Sequence, residues 1–257
     1  MTKRNTQQRR HTIVTLVQEQ GEVSVDALAK HFSTSEVTIR KDLAVLETGG
    51  LLLRRYGGAV PLPSEMVVDS NPDQVSKRKL AIARAAAERI RDHNRVIIDS
   101  GSTTSAMIPM LGSKRGLIVM TNSLNVAGAL RELENEPTLL MTGGTWDPHS
   151  ESFQGQVAEQ VLRSYDFDQL FIGADGIDPE RGTTTFNELV GLSRVMAEVS
   201  REVIVMVESE KIGRKIPNLE LPWSSIHTLV TDEGLATSAR EQIQARGITL
   251  ICAPVAG

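Results

Sequence analysis

Four short loops rich in glycine, hydroxyl and acidic side chains each follow an apolar run of the chain. They cover residues 99–104, 121–123, 142–145 and 173–176. Because the carboxyl ends of parallel strands lie at one edge of an open sheet, such loops meet where ligands bind. Glycine lets the backbone come close, and hydroxyl and N–H groups at a helix start can hold a phosphate. The pattern therefore predicts a site for a phosphorylated ligand.

Charged side chains in or near these loops extend the candidate site. Asp99 and Asp175 could accept hydrogen bonds from sugar hydroxyls, or could cap neighbouring helices. Glu188 could contact a ligand or favour a helix start by its charge, and Lys211 could pair with an anion or lie on the surface. Taken singly, each loop also fits an ordinary turn. The candidate effector contacts are Asp99, Gly101, Ser102, Thr103, Thr104, Thr121, Asn122, Ser123, Gly143, Gly144, Asp175, Gly176, Glu188 and Lys211.

The usual cofactor and metal signatures do not occur in these loops. Residues 101–104 lack the lysine and the spacing of a nucleotide P-loop, and no Gly-x-Gly-x-x-Gly motif follows an apolar run. His93, His149 and His227 are scattered without the spacing of metal ligands. We therefore expect no nucleotide cofactor, no catalytic residue set and no metal.

A second group of polar and basic residues follows the order of a winged helix-turn-helix. An amphipathic segment, 24–32, precedes the Ser/Thr cluster 33–35, which can cap the next helix. That helix places Ile39 and Leu43 inward, and a basic strand and turn, 51–60, follow as the wing. The candidate DNA contacts are Ser35, Thr38, Arg40, Lys41, Arg54, Arg55, Tyr56 and Gly57.

The charge of the chain is unevenly distributed. The net charge is −4, yet residues 1–58, here called the head, hold nine Lys/Arg and six Asp/Glu, which leaves 19 basic and 26 acidic residues beyond them. A basic head favours nucleic acid, although each basic residue alone also fits a solvated face. Because the excess is small, we expect two or more heads on one double-stranded DNA operator, in a homo-oligomer such as a dimer or tetramer.

Seven short apolar runs alternate with helical segments in the rest of the chain. Unalternating branched runs are typical of strands covered on both faces of a mainly parallel sheet. The runs are residues 95–99, 117–120, 138–141, 169–172, 203–207, 228–230 and 248–252, and the helical segments include 104–111, 124–133, 155–164, 189–200 and 238–245. The predicted fold class is α/β, with an N-terminal winged helix-turn-helix and a C-terminal three-layer α/β domain.

The domain boundaries follow from composition. We predict a DNA-binding domain at 1–58, a Pro- and Asp-containing linker at 59–75 and an effector-sensing domain at 76–257. The single cysteine, Cys252, excludes an internal disulfide and fits a reducing compartment. The amino terminus is polar, and no apolar run approaches the ~18 residues of a membrane span. We expect a cytoplasmic protein without a membrane partner.

The motifs of both regions resemble the DeoR family of bacterial transcriptional repressors. In the head, the matching positions are 35, 38–43 and 56–58; in the rest of the chain they are 98–104, 121–123, 142–144 and 173–178. The resemblance implies a repressor of carbohydrate catabolism. It also implies a sensing domain related to ribose-phosphate isomerases and CoA transferases. Binding of a phosphorylated sugar or polyol to that domain is then expected to release the repressor from DNA. Amino-sugar and sugar-alcohol regulators are the most similar members.

An enzyme remains the alternative because of that kinship. Ribose-phosphate isomerases pair a Gly-Ala-Asp motif with a lysine in a downstream glycine-rich loop. This chain has the motif at 173–175, but residues 181–185 carry no lysine where that loop would fall. Without a lysine and a carboxylate poised for proton transfer, isomerase chemistry lacks its acid and base. Glu188 could still act as a base, so a sugar-phosphate isomerase or deaminase with an accessory DNA-binding head is the second hypothesis.

Overall fold

The buried hydrophobic residues gather in three clusters, one in residues 1–74 and two in residues 75–257, the two units into which the chain divides. The structure, a computed structural model, describes residues 3–48, 52–55, 57–61, 75–148, 150–185, 187, 190–214, 216 and 218–255. Most of the predicted linker lies outside the described residues. Each unit is described by itself below.

The first unit combines three helices with a small antiparallel sheet. Its elements are α1 (Lys3–Gln20), β1 (Val23–Ser24), α2 (Val25–His31), α3 (Glu36–Thr48), β2 (Leu53–Arg55) and β3 (Gly58–Val60). The strand order is β1-β3-β2. Ile39 and Leu43 of α3 are buried, as predicted, and belong to one cluster with Leu28 of α2 and Ile13 of α1. The unit therefore has the predicted winged helix-turn-helix architecture, with α1 as an additional helix.

A buried carboxylate joins α3 to α1. Asp42 accepts hydrogen bonds from Arg9 Nε at 2.6 Å and from Arg10 Nε at 2.8 Å. The side chains of Asp42 and Arg9 are 3% and 9% exposed. Such a pair offsets its desolvation only while both partners are present. Two of the nine basic residues of the head are therefore paired inside it.

The second unit contains most of the elements. They are α4 (Lys77–Ala87), β4 (Arg95–Ile98), α5 (Ser102–Ser105), β5 (Ile118–Thr121), α6 (Leu124–Arg131), β6 (Thr138–Met141), β7 (Thr145–Asp147), β8 (Ser152–Gln154), α7 (Gln156–Leu162), β9 (Phe167–Ile172), β10 (Gly176–Asp178), β11 (Gly182–Thr185), α8 (Gly191–Glu198), β12 (Ser200–Met206), β13 (Asn218–Pro222), β14 (Thr228–Asp232), α9 (Thr237–Gln244) and β15 (Thr249–Ala253). Short 3-10 helices cover Ile108–Ser113, Ser209–Lys211 and Trp223–Ser225.

A seven-stranded parallel sheet organises this unit, in the order β15-β14-β12-β9-β4-β5-β6. Side chains of one strand alternate between two cores: Val96 and Ile98 of β4 lie in one cluster and Ile97 in the other. Helices cover both faces, so the predicted three-layer α/β fold is confirmed. All seven predicted strands belong to this sheet.

Three features of the second unit differ from the prediction. The strands β7 and β8 form a hairpin, and β10, β11 and β13 form a separate antiparallel sheet that sequence analysis did not predict. The helix predicted at 104–111 is broken: α5 ends at Ser105, and a 3-10 helix begins at Ile108. Pro109 accounts for the break, because proline has no N–H to donate and its ring clashes with the preceding helical turn. No described helix is long and apolar enough to cross a membrane.

Replacement of Asp42 by Asn tests the buried ion pair of the first unit. The variant leaves the Arg9 charge buried without its counterion, so we expect a loss of roughly 3 kcal/mol in the unfolding free energy of this unit. Hydrogen exchange of α3 amides should accelerate about a hundredfold. Asp26→Asn is the control, because the Asp26–Lys30 pair is exposed on both sides. Equal exchange in the two variants would contradict a stabilising role for Asp42.

Candidate functional site

The outer face of α3 presents the predicted DNA-reading residues, several of them with intramolecular partners. Ser35 Oγ accepts a hydrogen bond from the Thr38 amide at 3.2 Å, and the two hydroxyl oxygens lie 3.0 Å apart, so Ser35 caps α3. Arg40 Nη2 donates to Glu36 Oε2 at 2.6 Å, one turn earlier. Lys41 is exposed, and within the described part of the chain its ammonium has no hydrogen-bond or ion-pair partner.

The wing arginines are also paired. Arg54 Nε donates to Glu47 Oε2 at 2.6 Å, and the Arg54 amide donates to the other oxygen of the same carboxylate at 3.0 Å. Arg55 forms a looser ion pair with Glu22 at 3.6 Å. Both pairs lie at the surface with one partner half-buried, where ion pairs are weak.

The turn between β2 and β3 depends on glycine. Gly57 has a φ of +86°, a conformation in which a side chain is strained. Its carbonyl accepts a hydrogen bond from the Val25 amide at 2.7 Å, which ties the turn to the start of α2. Tyr56, the other predicted contact in this turn, lies outside the described residues.

In the second unit, the order of the sheet reverses between β4 and β9. From β4 the chain proceeds through β5 and β6 to one edge, and from β9 it proceeds through β12, β14 and β15 to the other. Ligands of open α/β sheets bind outside the carboxyl ends of the strands at such a reversal. The Asp99 amide, just after β4, donates to the Phe171 carbonyl of β9 at 3.0 Å. The loops at 99–104 and 173–176 therefore flank one crevice.

Asn122 fixes the loop that follows β4. Its Nδ2 donates to Asp99 Oδ1 at 2.8 Å, and its Oδ1 accepts from the Ser100 amide at 3.1 Å. Asn122 is 1% exposed. The structure thus brings the predicted residues Asp99 and Asn122 into direct contact and orients the Asp99 carboxylate from the side of β5.

Hydroxyl groups in the same loop divide into two kinds. Thr104 Oγ1 donates to the carbonyls of Asp99 and Gly101, at 2.8 and 2.9 Å, so it braces the loop. The hydroxyls of Ser102 and Thr103 make no hydrogen bond within the described residues, and neither do the backbone N–H groups of the first turn they form. Gly101 precedes them with a φ of +134°, which favours glycine.

The loops after β5 and β6 lie further from the strand reversal. Thr121 Oγ1 accepts from the Ser123 amide at 3.1 Å, and Ser123 Oγ accepts from the Val126 amide at 3.4 Å, so both buried hydroxyls hold the start of α6. Gly143 and Gly144 follow the edge strand β6. A Cβ on Gly144 would lie 2.5 Å from a carbonyl oxygen of β8, which indicates a packing role.

The loop after β9 contributes an acid and contacts a buried lysine of the 3-10 helix Ser209–Lys211. Asp175 Oδ2 accepts from Thr185 Oγ1 at 2.8 Å. Lys211 is 4% exposed, and its Nζ donates to the Ala174 carbonyl at 3.0 Å. Gly176 begins β10 and pairs with Thr184 of β11. Glu188 lies outside the described residues.

A further carboxylate, which sequence analysis missed, belongs to the same crevice. Glu220 of β13 is 8% exposed and accepts a hydrogen bond from Ser193 Oγ of α8 at 2.8 Å. Burial raises the pKa of the Glu220 carboxyl to about 8, and repulsion from Asp99 and Asp175 adds to the rise. The signal for it was the β-branched run 183–185, which favours a strand with a partner strand beside it.

Asp99 shares this unfavourable environment. Burial raises the pKa of its carboxyl to about 6, with a smaller upward contribution from Asp175, and the hydrogen bond from Asn122 opposes the rise. Groups with shifted pKa values in a crevice are candidates for function. Among the described residues, no group of three or more His, Cys, Asp or Glu side chains is arranged to hold a metal ion.

Comparison with known proteins accounts for both units. Residues 9–65 match the DeoR-like helix-turn-helix domain, and residues 74–233 match the DeoR C terminal sensor domain. The chain belongs to the DeoR family. It is 39% identical over 252 residues to a protein of Escherichia coli O157:H7 provisionally named an aga operon transcriptional repressor, with 96% of this chain and 93% of that protein covered.

Two further relatives carry regulatory names. A Haloferax volcanii protein named HTH-type transcriptional regulator GlpR is 33% identical over 95% of this chain and 96% of its own length. The glycerol-3-phosphate regulon repressor of Escherichia coli K12 is 34% identical over 80% of this chain and 83% of its own length. This DeoR-family chain is therefore a DNA-binding transcriptional regulator and not an enzyme.

Solved structures overlap it only in part. A D-ribose-5-phosphate isomerase in complex with phospho-erythronic acid has 18% identity and a TM-score of 0.40, with 54% of this chain and 55% of that chain covered. RipA from Yersinia pestis has 13% identity and a TM-score of 0.45, with 67% and 48% covered.

The expected absence of a lysine and a carboxylate holds for residues 181–185 but not for the crevice as a whole. The crevice does contain a lysine and carboxylates, because Lys211 and Glu220 come from elements far along the chain from the Gly-Ala-Asp motif. Their presence alone does not make an enzyme, and the relatives that cover nearly the whole chain carry regulatory names.

The raised pKa of Glu220 makes stability of the second unit depend on pH. The folded state holds a proton that the unfolded state, with a pKa of about 4.3, releases earlier. Stability from this group is therefore complete below that lower pKa and is lost as pH rises through about 8, by roughly 1.4 kcal/mol per pH unit.

Glu220→Gln keeps an oxygen for Ser193 and removes the ionisation. We expect it to unfold at a higher temperature than wild type at pH 8.5, and to differ little at pH 5. Both tryptophans, Trp146 and Trp223, lie in this unit, so their fluorescence reports its unfolding in the full chain. Glu198→Gln, at an exposed carboxylate, is the control. A pH profile unchanged from wild type would contradict the buried ionisation.

Proposed function

We propose that this regulator represses a carbohydrate operon as a homo-oligomer of two or more copies, and that a phosphorylated sugar or polyol binding in the crevice releases it from the operator. The observation that carries the proposal is the first turn after β4. There the hydroxyls and amides of Ser102 and Thr103 have no partner among the described residues, beside the carboxylates of Asp99 and Asp175. The relatives named for the aga operon and the glycerol-3-phosphate regulon support a carbohydrate signal.

The crevice separates two kinds of recognition. A phosphate group needs N–H and O–H donors, which the loop from Gly101 to Thr103 offers. Sugar hydroxyls need acceptors, which Asp99 and Asp175 offer. Lys211, held at the Ala174 carbonyl, places a positive charge at the loop that carries Asp175 and favours an anionic ligand there. A phosphorylated polyhydroxy compound therefore fits the crevice better than a bare anion does.

Release from DNA requires that the ligand bind unequally to two states of the protein. A ligand with equal affinity for the DNA-bound and free arrangements would shift nothing, however tightly it binds. We propose that the ligand-bound oligomer holds its heads at a spacing that no longer matches the operator half-sites. The small charge excess of the head supports oligomerisation, because Arg9 and Arg10 are already paired with Asp42 and one head alone offers few charges to DNA.

Thr103→Val tests the phosphate site without changing the size of the side chain. The first measurement is a thermal-shift screen of the full chain with phosphorylated sugars and polyols, each beside its unphosphorylated form. We expect stabilisation by the phosphorylated members only. Loss of one hydrogen bond to a charged group should weaken binding of the best compound about tenfold in the variant. Thr138→Val, at the exposed opposite end of β6, is the control. Equal affinity in both variants would place the phosphate elsewhere.

Replacement of Arg40 and Lys41 by Ala tests the DNA-binding face. The wild-type chain first selects its operator from fragments of genomic DNA. We expect the double variant to bind this operator more weakly and to lose about 0.9 from the logarithmic salt slope for each phosphate contact removed. The control replaces Arg163 and Arg201, which are exposed in the second unit. Light scattering of the complex gives the number of chains. An unchanged slope, or one chain per operator, would refute the respective part of the proposal.

A further inference from the structure

One exposed apolar side chain stands at the leading end of α3. Val37 is the second residue of this helix and is 59% exposed. With 3.6 residues per turn it lies about 160° around the axis from the buried Ile39. It therefore projects from the face opposite the core, where an apolar side chain contributes little to the stability of the fold. A β-branched side chain in a helix is held near a single χ1 rotamer, so its methyl groups are already oriented.

The polar residues around Val37 are differently engaged. The guanidinium of Arg40 is held by Glu36, and the hydroxyl of Thr38 lies against that of Ser35. One turn further along the outer face, the ammonium of Lys41 has no partner in the described residues. This face thus offers a positive charge for a phosphate and, beside it, a rigid apolar surface for a base edge. Amino-terminal residues of a recognition helix are those that reach base edges.

We infer that Val37 reads the C5-methyl group of a thymine in the major groove of the operator. The thymine methyl is the apolar feature of the groove, and aliphatic side chains recognise it by contact. This inference rests on the proposed operator binding and adds a specificity determinant to it. Lys41 positions the helix on the backbone, and Val37 discriminates between thymine and cytosine at the position it touches.

Deoxyuridine provides the test, because it differs from thymidine only by that methyl group. The full chain selects a duplex from a randomised library, and each thymine of the selected duplex is replaced by deoxyuridine in turn. We expect one position in each half-site where the replacement weakens wild-type binding roughly fourfold, the effect of losing one methyl-sized contact. At that position Val37→Ala should bind the thymine and uracil duplexes equally, with the thymine duplex bound more weakly than by wild type.

Val45→Ala is the matched control for this experiment. Val45 belongs to the same helix and is 48% exposed, but it lies two turns closer to the carboxyl end. This variant should retain the fourfold difference between the two duplexes. Because both valines are exposed, neither variant should change the unfolding temperature.

Two results would overturn the inference while leaving operator binding intact. In the first, no single replacement of thymine by uracil changes the affinity of the wild-type chain. In the second, Val37→Ala shows a full thymine preference. Failure of the chain to select any duplex would instead refute operator binding and this inference together, so the two failures are distinguishable.

Discussion

The pairing of β4 with β9 is the constraint on which the sensing unit depends. These two strands lie side by side in the sheet although 68 residues separate Ile98 from Phe167, and their hydrogen bonds continue past β4 to the Asp99 amide. Because the chain leaves β4 in one direction and β9 in the other, no crossover helix covers the space between their carboxyl ends. The crevice therefore follows from the topology of the sheet, and the polar loops after β4 and β9 flank it.

The carboxylates of the crevice are costly to the fold, and that cost is informative. Glu220 is buried beside two other acids, with Ser193 as its hydrogen-bond donor, and burial favours its protonated form. A sequence under selection for stability alone would place an apolar side chain in such a position. Buried carboxylates with raised pKa values cluster at functional sites. In the proposed function, a polyhydroxy ligand would add donors to these carboxylates, so its binding would recover part of the cost and favour the ligand-bound arrangement.

The sequence predicted the parallel sheet well because strands buried on both faces consist of continuous apolar runs. All seven strands of the sheet were recognisable by such a run. The sequence did not predict β13, because its residues, among them Glu220, alternate between polar and apolar and belong to a small separate sheet. The expectation that the strand-end loops lie at one edge of the sheet brought Asp99 and Asn122 close together, but it predicted neither their hydrogen bond nor the bracing role of Thr104. A threonine whose hydroxyl bonds to the backbone and a threonine whose hydroxyl is available to a ligand look the same in the sequence. Only the structure distinguishes them.

The head shows the same distinction for charge. Counting residues treats every arginine alike, yet Arg9 is locked to the buried Asp42, while Arg40 pairs with an exposed Glu36. An exposed ion pair between residues four positions apart in a helix stabilises the fold by only about 0.3–0.5 kcal/mol. Displacement of Glu36 by a DNA phosphate would therefore cost little. The buried pair cannot be exchanged without unfolding the contact between α1 and α3. The charge available to DNA is therefore smaller than the composition indicates and lies on α3 and the wing. A single head therefore offers few charges to DNA phosphates, and this is the physical ground for the proposal that two or more heads act together on one operator.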